Sequence, residues 1–148
     1  MAVVVDTGPL VAAANRRDDA HEFAATLLEL AGHDLLVPDP VVAECDSFLR
    51  GKRQPESARR LLAALAAGSY VRVSLSASAF ADAVAIDRHY ADLGLGLADA
   101  AVMAVAASTH SPILTFDFRD FRAAPPLLGG SWELVVDEAQ YARAIRPR

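Results

Sequence analysis

Short apolar runs alternate with stretches of helical period along this chain, and the alternation assigns most of the elements. Residues 2–6, Ala-Val-Val-Val-Asp, form a brief continuous apolar run bounded by Thr7-Gly8-Pro9, the pattern of a short buried strand. Pro9 is placed to open a helix after it. Residues 19–31 carry Phe23, Leu27, Leu28 and Leu30 at helical spacing. Leu35-Leu36-Val37 predicts a second strand. Pro38-Asp39-Pro40 then starts a helix, with Asp39 as N-cap and Pro40 at the first helical position. Residues 55–67 predict a further helix that stops near Gly68, and Tyr70-Val71-Arg72-Val73 a third strand. Residues 76–92 are helical, Gly94-Leu95-Gly96 is a turn, and residues 97–108 are so uniformly apolar that the helix is expected to be buried all round. Pro112-Ile113-Leu114-Thr115 predicts a fourth strand, Pro125-Pro126 and Gly129-Gly130 mark a loop, and Glu133-Leu134-Val135-Val136 predicts a fifth strand before a last helix or tail. Strands alternating with helices imply an α/β fold with a short, mainly parallel five-stranded sheet flanked by helices, in one domain over residues 1–148. In such sheets ligands bind beyond the carboxyl ends of the strands.

Composition narrows the class. Hydrophobic residues are 53% of the chain, enough for a sizeable core, and Ala alone contributes 31 of the 148 residues, which favours closely packed helices. No apolar run is long enough to span a bilayer, and the N-terminus has no basic n-region, so no signal peptide is expected. Cys45 is the single cysteine. It excludes an internal disulfide, suits a reducing cytoplasm and, among Val41, Val42, Phe48 and Leu49, reads as a core thiol. A net charge of −5 argues against a nucleic-acid partner, yet 13 of the 14 cationic residues are Arg, and they cluster. The clusters are Arg16-Arg17, Arg50 with Lys52-Arg53, Arg59-Arg60, and Arg119 with Arg122. Arg favours bidentate contact with phosphate or carboxylate.

The chemistry lies in four carboxylates at strand ends or helix starts, each embedded in apolar sequence: Asp6, Glu44, Asp99 and Asp117. Each has an ordinary explanation alone. Asp6 suits a helix cap, Glu44 a surface glutamate, Asp99 the first turn of a helix and Asp117 an Asx turn. Together they have another. Buried carboxylates that converge cannot all stay ionised without a cation between them, which points to a divalent metal and phosphodiester chemistry. At about 100° per residue Glu44 projects at the edge of the stripe formed by Val41, Val42, Cys45, Phe48 and Leu49, whereas Asp46 projects from its far flank. Asp120 is the weaker candidate beside Asp117. None of His21, His33, His89 and His110 shows metal-ligand spacing.

Other readings fit less well. Asp6-Thr7-Gly8 is the triplet of aspartic proteases, whose folds are rich in strands rather than Ala-rich helices. A phosphotransferase with an aspartyl nucleophile would want an acid where Gly8 stands. A receiver-like switch would want a lysine on a late strand, and the one lysine is Lys52.

Val5-Asp6-Thr7-Gly8-Pro9-Leu10, Val42-Ala43-Glu44, Leu97-Ala98-Asp99-Ala100 and Thr115-Phe116-Asp117 with Asp120-Phe121 occur in an order and spacing that resemble the PIN-domain family, specifically the VapC-type toxins of type II toxin–antitoxin modules. The resemblance covers nearly the whole chain. It implies a three-layer PIN-like domain with Mg²⁺- or Mn²⁺-dependent endoribonuclease activity on single-stranded or loop regions of RNA. It also implies a homodimer and a cognate VapB-type antitoxin. Asp6 and Asp99 are then expected as direct ligands of one or two ions, with Glu44 and Asp117 ligating or holding the attacking water, and Thr115 orienting a carboxylate. Gly8 departs from the family, in which Ser or Asn is common at that place. A catalytically inactive PIN-like or receiver-like binding module is the alternative, and the presence of all four acids counts against it. Arg119, Arg122 and Arg16-Arg17 are expected to hold phosphates at the rim, and the acidic pocket to attract a cationic side chain of the antitoxin.

Overall fold

The computed structural model describes residues 1–32 and 34–145. The expectation for His33 lies outside them. Strand β1 (Val3–Val5) leads into α1 (Thr7–Ala14) and α2 (His21–Leu30). Strand β2 (Leu35–Pro38) is followed by α3 (Asp39–Gly51) and α4 (Pro55–Ala66), and β3 (Val71–Val73) by α5 (Ala77–His89). Helix α6 (Gly96–Thr109) feeds β4 (Ile113–Leu114), and α7 (Phe118–Ala123) and α8 (Glu138–Ala144) complete the chain. Local sequence explains the boundaries. The valine run of β1 is β-branched and wholly buried. Proline occupies the first turn of α3 and α4, where its missing N–H costs nothing. Ser76 caps α5 by accepting the Ala79 N–H at 3.1 Å. Gly94 and Gly96, at φ 62° and 81°, supply the left-handed backbone that separates α5 from α6.

All strand pairs are parallel, in the order β3-β2-β1-β4. Val4 pairs with Leu36 on one side and Ile113 on the other. The chain therefore builds β2 and β3 outward from one side of β1, then returns to lay β4 on the other. That reversal makes the carboxyl ends of β1 and β4 the switch point where a crevice opens.

The sheet has four strands among the described residues, not five. Leu134 makes a single parallel bridge to Ile113, through Ile113 N–H to Glu133 O at 2.8 Å and Val135 N–H to Ile113 O at 2.9 Å. The ladder ends there because β4 is two residues long and offers nothing further to pair. Within the run only Val136 is buried, with Leu134 half-buried and Val135 exposed, as befits a segment held by one bridge. Asp39 is likewise not the cap of α3. Pro38 occupies that position, and Asp39 is the first helical residue, its carboxylate accepting from Ser74 Oγ at 2.9 Å and Arg72 at 3.4 Å. Helix α7 was not anticipated.

The main core runs through the domain, with Leu49, Met103, Ile113 and Leu114 fully buried, and Ala12, Ala20 and Ala24 form a small second cluster. In α6, Ala98 and Ala100 to Ala106 are buried, and its many alanines let α5 and α3 approach closely. No helix among the described residues is long and apolar enough to cross a membrane. Leu49→Ala is expected to lower stability by about 2–5 kcal/mol through the cavity it leaves. Leu30→Ala, at a position 78% exposed, should change stability by less than about 0.5 kcal/mol. Equilibrium urea unfolding of the two variants checks both values.

Candidate functional site

Asp6 leaves the end of β1 and Thr115 the end of β4, and the Asp6 N–H donates to Leu114 O at 2.9 Å. The two strand ends are tied again by side chains. Thr115 Oγ1, wholly buried, donates to Asp6 Oδ2 at 2.7 Å and accepts the Asp117 N–H at 2.9 Å. A single hydroxyl thus fixes two of the predicted acids. Asp117 in turn caps α7 by accepting the Asp120 N–H at 3.2 Å, which brings Asp120 back alongside it. Asp99 enters from the first turn of α6. Carboxylate oxygens of Asp99, Asp117 and Asp120 lie within 4.8 Å of one another.

The electrostatics place Asp6 and Glu44 with this group. Burial pushes Asp99 up from 3.8 to about 8, reinforced by the negative charges of Asp6, Asp117, Glu44 and Asp120. Burial likewise raises Asp6 to about 6, with Glu44 and Asp117 adding to it and the Thr115 hydroxyl opposing. Asp120 is raised by burial and by Asp117. The four predicted acids converge, and Asp120 joins them. Its sequence signal was its spacing: an acid three residues after a capping aspartate returns to the cap's side of the helix. Glu44 is the most open member, exposed on α3 above buried Val41 and Cys45. Asp46 turns away into an ion pair with Arg50 at 3.0 Å.

This donor set fits a hard divalent cation. Asp6 Oδ1 is buried without a hydrogen-bond partner among the described residues, as is Thr7 Oγ1. An anionic oxygen in that setting is costly unless a cation meets it. Carboxylate oxygens alone suit Mg²⁺, Mn²⁺ or Ca²⁺ rather than the softer metals that prefer nitrogen or sulfur. The Cys45 thiol is buried and pushed up to about 12 by that burial, so it stays protonated. No histidine belongs to the acid group among the described residues. His21 Nδ1 bonds Ala12 O, His89 packs edge-on against Tyr90, and His110 ends α6 in the left-handed region.

The arginines divide. Arg119 lines a groove next to Asp117. Arg122, expected free at the rim, is ion-paired with Glu138 of α8 at 2.8 Å. Arg16 lines a separate cavity with His21, Arg60 and Tyr70, and not the groove beside the acids. Position 8 has room for a side chain: a Cβ there would meet Phe116 Cβ at an ordinary 3.5 Å.

Comparison with known proteins places the chain by family and fold. Residues 3–125 match the family model of the PIN domain. The chain is 28% identical over 134 residues to "Ribonuclease VapC26" of Mycobacterium tuberculosis, covering 90% of this chain and 99% of that protein. Among solved structures, it resembles M. tuberculosis VapC20, described as a sarcin–ricin loop cleaving toxin, with a TM-score of 0.73 at 19% identity over 83% of this chain and 95% of that one. A toxin–antitoxin complex from Klebsiella pneumoniae aligns with a TM-score of 0.62 at 20% identity, over 90% of this chain and 100% of that one. VapBC2 from Rickettsia felis, bound to a DNA fragment from its promoter, aligns with a TM-score of 0.62 at 18% identity over the same shares.

The raised acids set the pH response of the metal-free protein. Between the ordinary carboxylate value and the raised one, the folded state holds protons that the unfolded chain has released. Stability from this source is therefore fully present below about pH 4 and is lost as pH rises through about 6 and then about 8. In EDTA the melting temperature should fall between about pH 5 and about pH 8.5, and Asp99→Asn should flatten the fall. A melting temperature in EDTA that falls equally steeply in the Asp99→Asn variant would contradict the assignment.

Proposed function

The chain belongs to the PIN domain family, and from that membership and the acid cluster we propose that it is a divalent-metal-dependent endoribonuclease, the toxin of a toxin–antitoxin pair. The observation that carries the proposal is the convergence of Asp99, Asp117 and Asp120 on the crevice where Thr115 holds Asp6. A relative that matches along nearly its whole length is named a ribonuclease, and two solved proteins of the same fold are toxin–antitoxin assemblies. The substrate class is single-stranded or loop RNA, because an in-line attack on a backbone phosphate needs a strand free to enter the crevice.

Asp6 and Asp99 are assigned as direct ligands of Mg²⁺ or Mn²⁺, with Asp117 and Asp120 beside them. A cation bound there supplies Lewis acidity, lowering the pKa of bound water and offsetting charge that builds on the phosphate. Thr115 is a positioning residue: with Oδ2 of Asp6 engaged, Oδ1 is left to face the site. Glu44, open to solvent on α3, holds the attacking water on the side where RNA arrives. Arg119 contacts a flanking phosphate. A cationic side chain of a VapB-type antitoxin would enter the same acids and form charge-assisted bonds with them. A second copy of the chain would cover apolar residues left exposed on α5, Phe80 and Val84, one helical turn apart. A cytoplasmic setting suits the lone cysteine.

Asp6→Ala and Asp99→Ala are expected to abolish Mg²⁺-dependent cleavage of single-stranded RNA with the circular dichroism spectrum unchanged. Thr115→Val should retain cleavage reduced roughly 10–100-fold. Cleavage by wild type that persists in EDTA would overturn the metal mechanism. Light scattering of the protein alone at micromolar concentration is expected to give twice the 15.7 kDa chain mass; a monomer would exclude the homodimer.

A further inference from the structure

Beside the acid cluster lies a groove with three aromatic residues in its walls. It has a volume of about 580 Å³ and runs between the start of α7 and the face of α8, lined by Phe116, Asp117, Phe118, Arg119 and Tyr141 among others. Phe116 and Tyr141 have ring centroids 4.5 Å apart at 37°, and Phe118 and Tyr141 5.6 Å apart at 58°. Phe23 stacks on Phe116 at 6.0 Å and holds that ring from α2. Phe116 and Tyr141 remain half-buried, so ring surface faces the groove. Burial raises the Tyr141 hydroxyl, and the negative charges of Asp18 and Asp19 reinforce the shift.

The polar groups of the groove suit a nucleotide. Asp117 belongs both to the groove and to the acid cluster, so a strand whose phosphate sits among the acids has its next residue at the groove. Arg119 makes no ion pair among the described residues, which leaves its guanidinium for a phosphate. The carboxylate on the opposite wall, Glu138, is held by Arg122 at 2.8 Å, which offsets a charge that would otherwise repel RNA. The two walls also differ in origin. Asp117 and Arg119 lie within the PIN match at residues 3–125, whereas Glu138 and Tyr141 lie beyond it. The chemistry is thus carried by the matched part, and the wall facing it by a segment outside the match.

We propose that this groove seats one unpaired nucleobase next to the scissile phosphate, and that the ring of Tyr141 is the surface on which it stacks. The inference rests on the ribonuclease reading and adds a base-binding subsite to it. Stacking on aromatic rings accepts any base, so the subsite adds affinity at one position of the strand rather than a choice among bases.

The test uses the full chain and single-stranded RNAs of one sequence, each lacking one base at successive positions around the cut. In wild type, loss of one particular base should raise KM. Tyr141→Leu, which keeps bulk and removes the ring, should raise KM roughly 10-fold on intact RNA with kcat little changed. It should cost nothing further on the RNA that lacks that base, and Tyr141→Phe should restore most of the KM. If Tyr141→Leu leaves KM unchanged, or loses equally on every probe, the subsite is overturned while the ribonuclease reading stands. In parallel, 2-aminopurine is stepped along a mixed-sequence single-stranded RNA, with cutting blocked by Asp99→Asn. Quenching at one position that disappears in Tyr141→Leu supports the groove even if wild type cuts no RNA, and the ribonuclease reading alone would then fall. No cutting together with no position-dependent quenching overturns both. A groove built instead for a side chain of a protein partner shows itself as unaltered RNA signals in Tyr141→Leu, which also overturns the proposal.

Discussion

The hydrogen bond from Thr115 Oγ1 to Asp6 Oδ2 joins residues 109 positions apart in sequence, and the arrangement of the site depends on it. It can form only because β4 returns to the far side of β1, which places the two strand ends next to each other. It also restrains what it holds. A carboxylate on a buried strand end, among other carboxylates, would otherwise turn toward any donor or take a proton. With Oδ2 engaged, Oδ1 is left buried with no hydrogen-bond partner among the described residues, and the same hydroxyl accepts the Asp117 N–H that begins the next acidic turn. Backbone topology is converted there into the placement of charge. The cost of gathering the acids falls on Asp6 and Asp99, which burial and the neighbouring negative charges hold above the ordinary carboxylate range.

Much of this was legible in the sequence, for reasons that differ by element. The valine run of β1 and the apolar helix at α6 carry unambiguous burial signals, and burial decides their fate whatever their partners. The four acids were legible because charge in apolar sequence is expensive and has few explanations. What escaped was set by partners. The fifth strand shrank to one bridge because β4 is too short to pair with it, a fact absent from residues 133–136 themselves. Asp39 has the composition of a cap, but Ser74 and Arg72 from across β3 compete for its carboxylate and win. Arg122 was read from its closeness to Asp117 in sequence, whereas its charge is claimed by Glu138, sixteen residues on. Asp120 was underweighted because a turn and a capped helix look alike over four residues, and only the helix brings it back to the acids.

Cost and constraint are unevenly spread over the site. Asp99 sits on α6, packed on nearly all sides, and cannot shift without disturbing the core. Glu44 sits on an exposed face and can. Carboxylates on packed elements hold a fixed geometry, whereas an exposed one is free to choose its rotamer.

The sheet's brevity has a consequence for how another chain could meet this molecule. A parallel sheet leaves two open edges, and unpaired edges invite strand addition and aggregation. Here one edge, β4, is two residues long and already capped by the bridge at Leu134. The other, β3, spans three residues and carries Arg72, tied across to Asp39. Neither offers a template long enough to recruit a foreign strand. Any partner chain would therefore have to meet a helical surface, where side-chain shape rather than generic backbone pairing selects it.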